Sequence, residues 1–230
     1  MSTPFDSQVP LPGYADTPNE DPLSNGGRWT QLATLPQWLY RVTGEIQPTP
    51  SGSFTAGESL WNPETWTDSS VCWRCSNLQF GGPIAAKLRA SADGASGYYK
   101  GEFKIVSGTL TWTVYKRVGG GSETVLASDV TSVPTVQTND RFGFSVIGTE
   151  IIVWHQARVD PATPSPINAG WTPVITVTDT ALPGPGYMTL VVGGLGSGFF
   201  APYGGPLFPT GGNGDVAPGT PVMDINVRVA

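Results

Sequence analysis

Cysteine is nearly absent from this sequence, which holds two among 230 residues. Two cysteines cannot form the disulfide framework of a small secreted domain. Cys72 and Cys75 have the spacing of a zinc or redox motif, but a zinc site needs about four ligands and there is no second cysteine pair. Residues three apart on a strand point to opposite faces, so we interpret both as ordinary strand residues.

Histidine occurs once, at His155. Any Ser-His-Asp or Cys-His relay would have to use it. It follows Trp154 at the end of an apolar segment, and a half-buried or turn-side side chain is the better interpretation. The glycine cluster at 193–198 is superficially like a phosphate-cradling loop, but it lacks the helix and lysine that such a loop needs. The sequence therefore predicts no catalytic residue, no bound cofactor and no metal site.

Charged residues are also scarce, at 13% of the chain with a net charge of −6. Lysine and arginine are scattered without a basic stripe, so we expect no nucleic-acid partner. No apolar run approaches the roughly 18 residues of a membrane span, and the first 30 residues lack the basic start and apolar block of a secretory signal. An extracellular type of architecture without an export signal is typical of a virion component, assembled in a host cytoplasm and released by lysis.

Glycine and proline are abundant, with 30 and 22 residues. Because interior proline costs a helix about 3 kcal/mol and glycine about 1 kcal/mol, we expect strands and turns instead. Eight Trp, nine Phe and seven Tyr can supply the core of one large β-sandwich.

Residues 139–155 contain the clearest hairpin. Phe142, Phe144 and Val146 alternate with smaller or polar residues, which is the period of a strand with one buried face. Gly148 then begins a two-residue reversal of the type II′ kind, before an apolar second strand.

Further alternation predicts about ten to twelve strands in a sandwich or jelly roll. In residues 98–106, Tyr99, Phe103 and Ile105 share one side of a strand, and Lys100, Glu102 and Lys104 share the other. The other predicted strands are 37–46, 69–76, 84–90, 110–115, 124–127, 171–178, 187–192 and 223–229, with 59–66 ambiguous because Pro63 interrupts it. The predicted core between the sheets is Trp112, Val114, Phe142, Phe144, Val146, Ile225 and Val227.

The domain organisation predicted is an extended arm at 1–18 and a single domain at 19–230. Residues 193–219 form a long Gly/Pro-rich loop before the last strand. That loop contains an apolar cluster between Phe199 and Phe208, and soluble monomers rarely expose such a cluster. We expect a neighbouring subunit to cover part of it, in a homo-oligomer or on another virion protein.

Three segments carry a resemblance to a known family. They are Asn-Glu-Asp-Pro-Leu-Ser-Asn-Gly-Gly-Arg-Trp at 19–29, the hairpin beginning Asn-Asp-Arg-Phe-Gly-Phe at 139, and the closing Gly-Tyr-Met-Thr-Leu-Val-Val at 186–192 with Asp-Ile-Asn-Val at 224–227. These segments resemble concanavalin A-like (laminin G-like) domains in tail proteins of actinobacteriophages. The resemblance implies a jelly roll of two antiparallel sheets. It also implies a non-enzymatic virion protein, a minor tail component with adhesion to host glycans. The alternatives are a capsid decoration protein, or a carbohydrate-active enzyme or lectin on the same fold.

The sequence departs from active relatives of this fold. Glycosidases on it carry alternating carboxylates along one strand, and no predicted strand here has them. Asn213 and Asp215 are the nearest approach to a calcium site. Aromatic residues in or beside loops are the candidates for glycan or subunit contact, with packing in the core as the alternative. They are Trp61, Trp66, Trp171, Phe199, Phe200 and Tyr203.

Overall fold

The structure is a computed structural model that describes residues 29–32, 40–42, 45–47, 57–74, 83–106, 109–129, 140–156, 171–192 and 203–206. In these ranges the regular elements are strands, and no helix is long and apolar enough to cross a membrane. The strands are β1 Trp29–Gln31, β2 Tyr40–Val42, β3 Glu45–Gln47, β4 Gly57–Trp66, β5 Ser69–Arg74, β6 Ile84–Ala90, β7 Tyr98–Val106, β8 Thr109–Arg117, β9 Thr124–Asp129, β10 Arg141–Ile147, β11 Glu150–Gln156, β12 Thr172–Thr178, β13 Gly186–Val192 and β14 Tyr203–Pro206.

Two antiparallel sheets pack face to face, which confirms the predicted all-β jelly-roll sandwich. Among the strands of the described ranges, one sheet has seven in the order β1-β4-β13-β6-β7-β8-β9. The other has five, in the order β12-β11-β10-β5-β14. A separate pair, β2 and β3, forms a short hairpin.

The core between the sheets is aromatic, as the alternation predicts. Phe142, Phe144 and Val146 of β10 are fully buried, and Phe142 stacks on Phe103 of β7 with ring centroids 4.4 Å apart. Trp112 and Val114 of β8 are buried with them. The other two predicted core residues, Ile225 and Val227, lie outside the described residues.

One glycine in β7 allows this close packing. A Cβ added at Gly101 would lie 2.4 Å from Cδ2 of Phe144. Any side chain at this position would therefore push the Phe144 ring out of its place between the sheets.

The predicted hairpin is confirmed in register and in turn chemistry. Ile147 pairs with Glu150 across the two-residue reversal, and Gly148 has φ +55°. Thr149 is not among the residues with positive φ, so the turn has the pattern of type II′.

The structure resolves one ambiguity about the strands and corrects two expectations. Residues 59–66 are strand despite Pro63, because its register with β13 jumps between Trp61 and Trp66 and so leaves the proline outside the regular ladder. Residues 37–46 were expected as one strand, but β2 and β3 are separate strands that pair with each other. Gly44 lies between them in sequence, and glycine favours a reversal there.

The second correction concerns the loop predicted at 193–219. Within it, β14 pairs antiparallel with β5 of the same chain, so Tyr203–Pro206 belong to the five-stranded sheet. The sequence shows little strand signal there because Gly204 and Gly205 have no side chain to alternate. The rest of the loop, the arm at 1–18 and the predicted strand at 223–229 lie outside the described residues.

One end of the sandwich is tied together by Arg89, which has φ +50° at the end of β6. Its guanidinium donates hydrogen bonds to the backbone oxygens of Thr67 at 2.6 Å, Leu182 at 2.7 Å and Gly148 at 2.6 Å. These acceptors belong to three different connections between strands. The Asp68 carboxylate lies 3.4 Å from the same guanidinium, so the buried charge has an acidic partner as well as the three carbonyls, and it fixes the loops at this end.

Candidate functional site

The outward face of the seven-stranded sheet carries a row of paired charges. Lys87 of β6 lies opposite Lys100 of β7, which lies opposite Tyr115 of β8. Because Tyr99, Phe103 and Trp112 fill the core, the residues that alternate with them on these strands point outward. We call this set the charged ladder, and it consists of Glu58, Lys87, Tyr98, Lys100, Glu102, Tyr115 and Glu123.

The inner end of the charged ladder is buried. The Lys87 ammonium lies 2.7 Å from the Glu58 carboxylate, donates to the Gly94 backbone oxygen at 2.9 Å and sits 4.3 Å from the centroid of the Tyr98 ring. The side chains of Lys87 and Glu58 are 8% and 2% exposed. Burial lowers the pKa of Lys87, and the Glu58 carboxylate opposes that shift.

The loop at 91–97 lies over this buried end and is held by its own hydrogen bonds. Asp93 accepts from the hydroxyls of Ser91 and Ser96, and from the backbone N–H of Ala95 at 2.8 Å. These bonds hold the pKa of Asp93 well below its usual range. The loop therefore keeps a fixed shape beside the charged ladder.

The outer end is centred on Lys100. Its ammonium lies 3.0 Å from Glu102 and 2.9 Å from Glu123, and it sits 4.1 Å from the centroid of the Tyr115 ring. The Tyr98 hydroxyl donates to Glu123 at 2.5 Å. Exposure rises outward along these contacts, with Lys100 at 11%, Glu102 at 14% and Glu123 at 31%.

These contacts fix the charge states of the outer end. Burial alone would raise the pKa of Glu123, but hydrogen bonds from Lys100 and Tyr98 outweigh it and leave that pKa below its usual range. Burial alone would lower the pKa of Lys100, but Glu102 and Glu123 outweigh it and raise that pKa. Burial and the bond to Glu123 raise the pKa of Tyr98 to about 12. At neutral pH the outer end thus has the Lys100 ammonium against an ionised Glu123, with the neutral Tyr98 phenol beside them.

The aromatic residues singled out from the sequence are placed elsewhere. Trp66 is a correction, because it ends β4 in the core and is 9% exposed, with its indole N–H donating to Glu64 at 3.1 Å. Trp171 is half-buried just before β12, and Tyr203 begins β14. These two strands are opposite edges of the five-stranded sheet. Trp61 is a β4 residue whose side chain is outside the description, as are Phe199 and Phe200 altogether.

The single histidine is buried more deeply than predicted. His155 is 5% exposed, and its Nε2 lies 2.9 Å from Oδ2 of Asp140. Its ring packs 5.6 Å from Phe142 and 6.2 Å from Trp112, centroid to centroid. Asp140 supplies the polar partner that makes this burial possible. The pairing of Asp140 with His155 could not be predicted from the sequence.

Cys72 is buried in β5, and desolvation raises the pKa of its thiol to about 12. It is therefore an unreactive thiol at neutral pH. Cys75 lies outside the described residues. Within the described ranges, no group of three or more His, Cys, Asp or Glu side chains is arranged to hold a metal ion.

The charged ladder itself was missed at the sequence level. The alternation of the sequence predicts that Lys100 and Glu102 share one face of a strand. No pattern near them in the sequence indicates that Glu58 or Glu123 lies close to this face. The sequence could have indicated this set only if neighbouring strands were considered together. Lys87 and Lys100 are outward residues of two strands that are predicted to be consecutive, so they could be expected to lie side by side.

No protein family matches the chain, and no curated protein matches it in sequence. Solved structures do match its fold. The exoplasmic/lumenal domain of VIP36 in its Ca2+/Man2-bound form is 11% identical with a TM-score of 0.55, over 84% of this chain and 84% of that domain. The CBM2 module of the evolved Dit of Lactobacillus casei BL23 phage J-1 is 10% identical with a TM-score of 0.52, over 84% of this chain and 91% of that module. The chain therefore has the lectin-like, concanavalin A-like β-sandwich fold that the sequence resemblance implies.

Proposed function

We propose that the protein is a non-enzymatic carbohydrate-binding module of a phage virion, within a minor tail component that contacts host glycans. The charged ladder is the observation that carries the glycan-binding part of this proposal. It is an outward, partly exposed row of donors and acceptors held in fixed positions by their mutual contacts.

Such a row suits a polyhydroxylated ligand. A sugar offers hydroxyl groups that both donate and accept hydrogen bonds, and bonds to ionised partners are stronger than bonds between neutral groups. Because Lys100 already holds Glu102 and Glu123 in place, binding would order few side chains and lose little conformational entropy. The half-buried Tyr115 adds aromatic surface beside these groups, whereas Tyr98 is buried beneath them.

The electrostatics favour binding over hydrolysis. A glycosidase needs one carboxylic acid with a raised pKa that can protonate the leaving oxygen. The pKa of Glu123 is shifted in the opposite direction, and Lys100 contacts Glu102 and Glu123 together. This arrangement keeps Glu123 as an acceptor and does not prepare it as a proton donor.

The virion assignment is supported by the sequence resemblance to phage tail domains and by the fold likeness to a module of a phage Dit. Partners in this proposal are other virion proteins, further copies of the chain and a host cell-surface glycan. Mass spectrometry of purified virions tests it, because a particle component must be present in them at a constant ratio to the tail proteins.

Binding is tested by sedimenting the protein with purified host cell-wall polysaccharide. We expect saturable co-sedimentation that Lys100→Met weakens and that Glu150→Gln, at the exposed β10–β11 turn, leaves unchanged. The same incubation is assayed for new reducing ends. Their reproducible release would overturn the non-enzymatic assignment, and no co-sedimentation would overturn glycan binding.

A further inference from the structure

The depth of each charge decides which groups of the charged ladder a ligand can reach. Lys87 and Glu58 lie under the 91–97 loop, with side chains 8% and 2% exposed. Lys100 is also largely covered, whereas Glu123 is 31% exposed. The ladder thus keeps its ammonium groups below and brings the Glu123 carboxylate to its rim, with Glu102 beside it at 14% exposed.

The rim carboxylates retain acceptor capacity. A carboxylate has about four lone-pair sites. Glu123 accepts hydrogen bonds from the Tyr98 hydroxyl and the Lys100 ammonium. Glu102 lies 3.0 Å from the Lys100 ammonium and accepts a hydrogen bond from the Tyr115 hydroxyl at 3.4 Å. Both carboxylates therefore can accept hydrogen bonds from a ligand above them.

The aromatic rings contribute differently from the stacking platforms of many sugar sites. One face of the Tyr98 ring carries the Lys87 ammonium, and one face of the Tyr115 ring carries the Lys100 ammonium. Their quadrupoles are thereby engaged with cations of the protein itself. Ligand selection then depends on the charged rim.

We propose that Glu102 and Glu123 are ligand-contacting residues, and that they select a glycan that presents hydroxyl or amino donors and carries no acidic substituent. This inference rests on the proposed function and specifies its ligand class. An acidic sugar would bring a carboxylate, sulfate or phosphate against the carboxylates of Glu102 and Glu123, and like charges in one site oppose binding.

Two other cationic side chains lie on the same face, where a positive charge would attract an acidic ligand. Lys104 is half-buried, two residues beyond Glu102, and it forms no ion pair within the described part of the chain. Arg117, beside Tyr98 in register, donates to the Gly120 backbone oxygen at 3.3 Å. If an acidic glycan were the ligand, Lys104 is the residue that would hold it.

The test uses an immobilised oligosaccharide array with matched members that differ in one substituent: the hydroxymethyl of glucose, the carboxylate of glucuronic acid and the amine of glucosamine. We expect the full chain to bind neutral and amino members at least about tenfold more tightly than the carboxylated member. Glu123→Gln should weaken neutral binding and reduce this preference, while Glu150→Gln should keep it. Higher salt should also reduce it, because salt screens repulsion.

The outcomes separate the two proposals. Binding to no member would overturn the proposed function together with this inference. Binding that prefers the carboxylated member, and that Lys104→Met abolishes, would overturn this inference alone. A preference for neutral members that Glu123→Gln does not change would show that Glu123 is not the selecting residue, and would also overturn it.

Discussion

The two faces of β7 are held in place by different physics. On the inner face, Phe103 stacks on Phe142 with almost no exposed surface, and Gly101 leaves room for Phe144. On the outer face, Lys100 and Glu102 are held by charges and rings from the neighbouring strand and from Glu123. The inner face stabilises the sandwich by excluding water, whereas the outer face arranges partly exposed polar groups whose net contribution to stability is small. One strand therefore carries the fold on one side and the candidate site on the other.

The largest effect is expected on the inner face. Phe103→Ala removes a ring that is 1% exposed, and it should lower the free energy of unfolding by about 3 to 5 kcal/mol through lost burial and an unfilled cavity. Chemical denaturation measures this loss. A variant with the stability of the wild type would contradict the central place of this ring in the core.

An intermediate effect is expected at the centre of the outer face. Lys100→Met leaves Glu102 and Glu123 close together without their shared ammonium, and should cost about 2 kcal/mol because the site is only partly buried. The same denaturation experiment compares it with Phe103→Ala. If Lys100→Met were the more damaging of the two, the outer face would contribute to the fold more than the comparison allows.

The smallest effect is a dependence on pH. Because the folded-state pKa of Glu123 is depressed, its contribution to stability is present above its ordinary value of 4.5 and is lost as pH falls through the folded-state value. The difference in stability between the wild type and Glu123→Gln, under about 1 kcal/mol at neutral pH, should therefore disappear on acidification. Paired denaturation curves from pH 7 to pH 3 measure it. A difference that grows towards low pH would contradict the assigned charge state.

The inner face was predictable from sequence, whereas the outer face was predictable only in part. Alternation along β7 and β10 identifies Phe103, Phe142 and Phe144, because a strand with one buried face has a period of two. Alternation also puts Lys100 and Glu102 outside. The partner Glu123, however, follows a glycine turn, and its place beside Lys100 depends on the register of β7, β8 and the segment before β9.

For one of the aromatic candidates, the sequence pattern suggested a surface position that the structure does not show. Proximity to proline and glycine suggested surface loops for Trp66, yet the β4 strand continues past Pro63 and carries Trp66 into the core. Local composition does not reveal that the β4–β13 register shifts at this point. Likewise, two adjacent glycines hid the strand β14, which pairs antiparallel with β5.

The most direct test of glycan binding at the outer face is an NMR titration. An oligosaccharide that binds in the array is added to the isotopically labelled protein, and the chemical shifts of the backbone amides are monitored. We predict that the shifts concentrate at Lys100, Glu102, Tyr115 and Glu123. Residues of the opposite sheet, such as Glu150 and Thr176, should stay unchanged. Shifts confined to the five-stranded sheet, or to residues outside the charged ladder, would contradict the assignment of this face as the binding site.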